Sequence, residues 1–208
     1  MEIVNKTRGI VLGAREWGEQ DLLFFVYTEK FGKVEAVVKS AKKIKSKLVG
    51  HLPTLGLSEI LFIEGRTKMK IINAYLLDNY VLKTEEDFYF LSALAEVVNK
   101  ATALGERSEQ FWKILFWTRA TIVGVDSPNE KRLALSIFLI KLATLLGYKI
   151  SVNEKDDKQK QIKIMIEQVQ SGNVSMKTTA QNSEQLFRFL REYYLNILER
   201  PILSFNLL

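Results

Sequence analysis

Asp21-Leu22-Leu23-Phe24-Phe25-Val26-Tyr27-Thr28-Glu29-Lys30-Phe31-Gly32-Lys33-Val34-Glu35-Ala36-Val37-Val38-Lys39 sets the architecture of the N-terminal part of the chain. Two runs rich in aromatic and β-branched residues flank a short polar turn closed by glycine, and the second run opens with strict polar/apolar alternation. A period of two belongs to strands, and so short a connection joins only antiparallel neighbours, so the stretch is a hairpin. Upstream, Arg8-Gly9-Ile10-Val11-Leu12-Gly13 reads as the preceding strand. Downstream, Leu57 to Ile63 and Met69 to Leu77 flank a second glycine-containing turn, Glu64-Gly65-Arg66-Thr67-Lys68. Five short strands within about 80 residues suit a small closed barrel, because closure removes exposed strand edges. An OB-fold and a five-stranded SH3-like barrel both satisfy this spacing.

Beyond Tyr80 the apolar period changes from two to about 3.6, which marks a domain boundary and the start of helices. Thr84 with Asp87 three residues on has the form of a capping arrangement ahead of the stripe Phe88, Leu91, Leu94, Ala95 and Val98. Ser108 precedes a second helix. Ser127-Pro128 is the clearest helix start and Gly147 the stop, with nearly every face apolar between them, as expected of the buried centre of a bundle. Tyr148 to Gln161 is charged and reads as a solvated loop. Ile162 to Val169 reads as a short helix, and Ser183 as the cap of a final helix through Leu198 that Pro201 ends.

Of 208 residues, 47% are hydrophobic and 26% charged, which is a globular composition. Met1 to Lys6 lacks the basic start and apolar run of a secretory signal, and no stretch reaches the roughly 20 uncharged apolar residues of a membrane span. The expectation is a cytoplasmic protein. The absence of cysteine rules out disulfides, thiolate nucleophiles and cysteine-based metal sites. His51 is the single histidine, which excludes multi-imidazole metal centres, and no nucleophile motif accompanies it. Neither dinucleotide nor P-loop glycine motifs occur. The carboxylate pairs Glu85-Glu86 and Asp156-Asp157 fall at a helix start and in the charged loop, where the helix dipole and solvation account for them. The chain is therefore read as a non-enzyme with no cofactor and no metal.

The positive signal is Lys39-Ser40-Ala41-Lys42-Lys43-Ile44-Lys45-Ser46-Lys47, with five lysines and no acid, in a chain of net charge +6. Lysines of this kind contact phosphates without reading sequence. Lys30 and Lys33 at the hairpin turn, with Arg66, Lys68 and Lys70 at the later one, extend the field if the barrel brings those loops together. Trp17 and Phe31 are the candidate base-stacking residues. Phosphate-directed lysines do not distinguish DNA from RNA, and a basic loop also fits an acidic protein partner. An RNA-binding OB-fold factor and an interaction scaffold are accordingly the alternatives.

Arg8-Gly9-Ile10-Val11-Leu12, Trp17-Gly18-Glu19-Gln20-Asp21-Leu22-Leu23, Tyr27-Thr28-Glu29-Lys30-Phe31-Gly32-Lys33, the lysine/serine loop, Gly50-His51-Leu52-Pro53-Thr54 and the terminal Glu199-Arg200-Pro201-Ile202-Leu203-Ser204 together resemble the RecO family of bacterial recombination mediators. The resemblance implies an α+β two-domain chain: residues 1–80 an OB-fold DNA-binding barrel, residues 81–208 an all-α helical domain. It implies binding of single- and double-stranded DNA, annealing of complementary strands and, with RecR, help in loading RecA onto DNA coated by single-strand-binding protein, whose C-terminal tail the helical domain would receive. It also implies a bacterial, nucleoid-associated location. Many family members carry a cysteine-rich zinc element after the central helix. Tyr148 to Lys160 has no cysteine or histidine, so zinc is not expected here.

Overall fold

A computed structural model describes residues 3–43, 46–65, 67–78, 82–153, 156–173, 179–198 and 201–208. Among these residues five strands come first: β1 (Asn5–Trp17), β2 (Asp21–Thr28), β3 (Gly32–Val38), β4 (Leu57–Ile63) and β5 (Met69–Leu76). They form a closed barrel in the order β1-β2-β3-β5-β4, with β3 and β5 parallel and the other neighbours antiparallel. This is the OB arrangement, which resolves the choice of barrel that strand spacing alone left open. The hairpin read from Asp21 to Lys39 is present, with Tyr27 opposite Lys33 and Phe25 opposite Glu35.

β1 is longer than the Arg8–Gly13 run. Its first half pairs with β4 and its second half with β2, and a register shift between Val11 and Gly13 marks the bend that lets one strand serve both neighbours. Val11, Phe24, Val26, Val34, Ala36, Val38, Ile60, Phe62 and Ile71 fill the interior, as the alternation on β2 and β3 requires.

Among the described residues five α-helices follow: α1 (Glu85–Ala101), α2 (Glu109–Gly124), α3 (Pro128–Leu145), α4 (Asp157–Gln170) and α5 (Ala180–Leu198), with a closing 3-10 turn over Leu203–Leu207. The chain divides into two compact units, one of Met1–Val81 with Ala95–Trp112, the other of Leu82–Leu94 with Lys113–Leu208.

Within the barrel's unit, the segment from residue 95 to 112 covers the outer face of β2 and β3. The Tyr27 ring lies 4.5 Å from that of Phe111, and its hydroxyl accepts from Ser108 N–H (3.3 Å) and donates to Glu106 O (3.4 Å). Burial pushes the Tyr27 phenol above its ordinary pKa. Gly32 lies beneath this segment with φ +64°, and a Cβ there would stand 2.1 Å from Glu106 O. Both the backbone angle and the close approach demand glycine. Gly32→Ala is expected to cost about 2–3 kcal/mol in a urea titration, the αL penalty plus displacement of the covering loop.

In the second unit, Thr84 and Asp87 form the capping box read from the sequence. Asp87 N–H donates to Thr84 Oγ1 (3.2 Å), and the carboxylate returns to Thr84 N–H (3.1 Å) and Lys83 N–H (2.8 Å). α3 is the buried centre, with α4 and α5 packed on it. Ser127 and Pro128 start α3 as expected, though the Ser127 hydroxyl makes no capping bond. Gly147 (φ +78°) ends it in a Schellman motif, with Tyr148 N–H on Ala143 O (2.9 Å) and Gly147 N–H on Thr144 O (3.1 Å). The Tyr194 hydroxyl of α5 donates to Leu139 O (2.7 Å).

Two boundaries differ from the sequence reading. α4 begins at Asp157, because Asp156 caps it by accepting from Gln159 N–H (2.8 Å), so the pair Asp156-Asp157 opens a helix rather than lying in a loop. α5 begins at Ala180 with Thr179 as its cap, and Ser183 is buried one turn inside with its hydroxyl on Ala180 O (2.8 Å).

Candidate nucleic-acid interface

The basic segment leaves the barrel at the end of β3, beside the turn that joins β1 and β2. Lys42 N–H donates to Gln20 O (3.1 Å) and Ser40 N–H to Asp21 Oδ1 (2.9 Å), while Lys39 Nζ donates to Asp21 Oδ2 (2.6 Å). Ser40 has φ +52°, and Lys43 N–H and Ser46 N–H close successive turns on Ser40 O and Lys43 O. Asp21 thus organises the segment's start. The Lys39 ammonium first, then the Ser40 N–H, hold its carboxyl below the usual aspartate pKa.

The cations here differ in how they are engaged. Lys39 pairs with Asp21, and Lys42 with Glu16 at 2.7 Å. Lys43 and Lys47 are exposed and form no ion pair among the described residues. Lys45 and Arg66 lie outside the described residues. Exposed pairs of this kind contribute about 0–1 kcal/mol, so a phosphate can compete for Lys39 and Lys42. Trp17, half-buried at the end of β1, has the Arg15 guanidinium 5.3 Å from its ring centroid.

The second group of candidate cations sits elsewhere. Lys30 and Lys33 belong to the start of β3 and Lys39 to its end, about 20 Å apart at the rise of a strand. That is twice the Debye length of about 8–10 Å at physiological salt. Instead of one field extended by both turns, the barrel carries two patches. Lys68 and Lys70 lie between them: Lys68 pairs with Glu35, and Lys70 is half-buried opposite Val37. Phe31 is half-buried, its ring edge-on to Phe62 at 5.2 Å.

Lys33 is not a surface cation. It is 8% exposed under the 95–112 segment, and its ammonium donates to Asn99 O and to Thr102 O (3.1 Å) at the C-terminal end of α1. Burial lowers its pKa, with the Glu35 carboxylate acting in the opposite direction. Lys33→Met is expected to leave affinity for single strands unchanged, where loss of a true phosphate contact would weaken it about fivefold near 0.1 M salt. The same variant should lose about 1–2 kcal/mol of stability, because the α1 carbonyls lose their donor. Fluorescence anisotropy and a urea titration on one preparation test both statements.

The sequence reading missed the residues that order the patches. Glu16 and Asp21 are acids and carry no phosphate-binding signal, and Arg107 lies 78 residues from Glu29, whose carbonyl accepts its Nε–H (3.2 Å). Among the described residues, no group of three or more His, Cys, Asp or Glu is placed to hold a metal ion, and no helix is long and apolar enough to cross a membrane.

The model of the family described as "Recombination protein O N terminal" matches residues 1–80. The chain is 28% identical over 146 residues to the DNA repair protein RecO of Caldanaerobacter subterraneus subsp. tengcongensis, covering 69% of this chain and 58% of that protein. It is 29% identical over 152 residues to the DNA repair protein RecO of a Thermoanaerobacter species, with the same coverage, and 25% identical over 151 residues to that of Clostridium acetobutylicum, covering 71% of this chain and 60% of the relative. The chain thus spans about three fifths of the length of these curated relatives.

Proposed function

We propose that this chain, similar in sequence to proteins of the RecO family, is a non-catalytic mediator of recombinational DNA repair that binds single- and double-stranded DNA and anneals complementary strands. The observation that carries this reading is the start of the lysine segment, Lys39–Lys43, seated on the β1–β2 turn of an OB barrel by the bonds of Ser40 N–H to Asp21 and of Lys42 N–H to Gln20 O. Loops at the mouth of such a barrel are a common nucleic-acid surface. Lys43 and Lys47, with Lys39 and Lys42 released from surface ion pairs, neutralise phosphates on two strands at once. Their mutual repulsion falls, and base pairing proceeds without a catalytic group.

Residues 1–80 supply the DNA-binding domain in this reading, and residues 81–208 the helical domain that meets proteins. The partners are RecR, the acidic, apolar C-terminal tail of single-strand-binding protein and, indirectly, RecA. The tail ends in a carboxylate beside a bulky ring, so its seat requires an apolar groove with a Lys or Arg at the edge.

Annealing of two complementary oligonucleotides across a salt series, with and without single-strand-binding protein, tests the proposal. The expected result is salt-sensitive acceleration that persists on coated strands. No acceleration by a folded chain, or tighter binding to RNA than to DNA in competition, would overturn it.

A further inference from the structure

The second patch differs from the first in having an apolar floor. A cavity of about 570 Å³ opens between the β2–β3 turn, the residues preceding β5 and the loop at 104–107, all within the barrel's unit. Phe31, Met69 and Leu104 give it apolar walls, and Lys30, Lys68 and Arg107 bring positive charge. Its size falls within the roughly 300–1,000 Å³ of small-molecule sites. Glu35, the one carboxylate among the described residues of its lining, is paired with Lys68.

Two features show the walls to be held in place. The Phe31 ring is braced edge-on by Phe62, and its backbone N–H donates to Thr28 Oγ1 (3.0 Å). Leu104 is 55% exposed, yet its backbone bridges to Lys33, and the next residue donates its N–H to Lys33 O (2.8 Å). An apolar side chain is thereby kept facing water on a fixed backbone. Arg107 is oriented by the bond from its Nε–H to Glu29 O.

We propose that this cavity seats one unpaired base of a single strand, with Lys30 and Arg107 on the flanking phosphates. An aromatic ring and two aliphatic side chains match the flat, weakly polar face of a base, and cations at the rim match its phosphates. A free phosphate has no use for the apolar walls. A base pair inside a duplex cannot enter, because its faces are stacked. The Lys39–Lys47 patch therefore grips any phosphate backbone, and the cavity adds affinity for unpaired strands alone. This inference rests on the DNA-binding reading above.

The test compares the parent chain with Leu104→Ser and Arg107→Gln, using an oligothymidylate that carries one 2-aminopurine and a duplex of equal length. Leu104→Ser is expected to weaken single-strand binding about tenfold and to abolish the emission change of the bound aminopurine, with duplex affinity unchanged. Arg107→Gln should lower the single-strand salt slope by about 0.7 and leave the duplex slope alone. Leu104 is exposed, so the melting temperature should hold. If the parent binds both nucleic acids and the variants lose neither, or lose both by one factor, the cavity assignment is wrong and the wider reading stands. If Leu104→Ser spares the single strand but loses an acidic peptide, the cavity is a protein site. If the parent binds no nucleic acid, both readings fall together.

Discussion

Replacing Lys42, Lys43, Lys45 and Lys47 together by alanine is expected to weaken single-strand binding by two to three orders of magnitude near 0.1 M salt and to abolish annealing. Each neutralised phosphate contributes a slope of about 0.7 in log K against log salt, so removing four ammonium groups makes the slope shallower by about 2.8. The contributions should not be equal. Lys42 must first leave Glu16, whereas Lys43 and Lys47 have no such competitor among the described residues. Single variants at Lys43 and Lys47 should therefore exceed Lys42→Ala. Lys42 and Glu16 should show coupling in a double-mutant cycle, with Glu16→Gln tightening binding. The fold is expected to persist, since Lys42, Lys43 and Lys47 are all exposed. Far-UV circular dichroism and anisotropy at several salt concentrations give the comparison. An unchanged slope would remove this segment from the interface.

The second large effect is on stability. Lys131 and Asp87 form an ion pair at 2.5 Å with both side chains 1% exposed. Lys131→Met should cost about 3–5 kcal/mol, because it leaves a buried carboxylate without its counter-charge. That is a large part of the about 5–15 kcal/mol that holds a domain together. Asp87→Asn with Lys131→Met should recover much of the loss, because the amide oxygen can still serve the Lys83 and Thr84 N–H groups while no charge is buried.

The pH dependence supplies a sign that packing alone would not. Burial acts to raise the Asp87 pKa, but the Lys131 ammonium and the two backbone donors outweigh it and hold the carboxyl below the ordinary value. A depressed carboxyl pKa gives stability that is fully present above the unfolded value of about 3.9 and is lost as pH falls through the folded value. Without Lys131, burial dominates and the Asp87 pKa rises. The variant should then gain stability relative to the parent as pH drops from 7 toward 4. Urea midpoints at the two pH values test this, and parallel curves would mean that the pair contributes no charge-dependent stability.

Much of the architecture was legible locally. The hairpin Asp21 to Val38 follows from alternation about a four-residue turn, α3 from a proline start and a glycine stop, and the capping box from Thr84 and Asp87. Each depends on neighbours within a few residues. The lysine run was legible for the same reason, as a block of like charge between two strands. Harder to read were the starts of α4 and α5. The charged first turn of α4 looks like loop composition, and Ser183 is a plausible cap that one additional upstream turn carries into a helix interior.

The sequence by itself determined the strand-then-helix order, the lack of cysteine chemistry and of multi-imidazole metal sites, and a concentrated cationic segment at the end of β3. Only the tertiary structure decided which candidate cations can act together. Lys33 reads as a surface residue by its type and its place beside a turn, but a segment more than 60 residues later covers it and supplies carbonyls to its ammonium. Likewise, Lys30 and Arg107 share a cavity while Lys30 and Lys39, close in sequence, stand at opposite ends of a strand. Strand periodicity is a short-range property, written in adjacent residues. Burial of a charge and convergence of side chains depend on distant segments meeting in space, which no local pattern encodes.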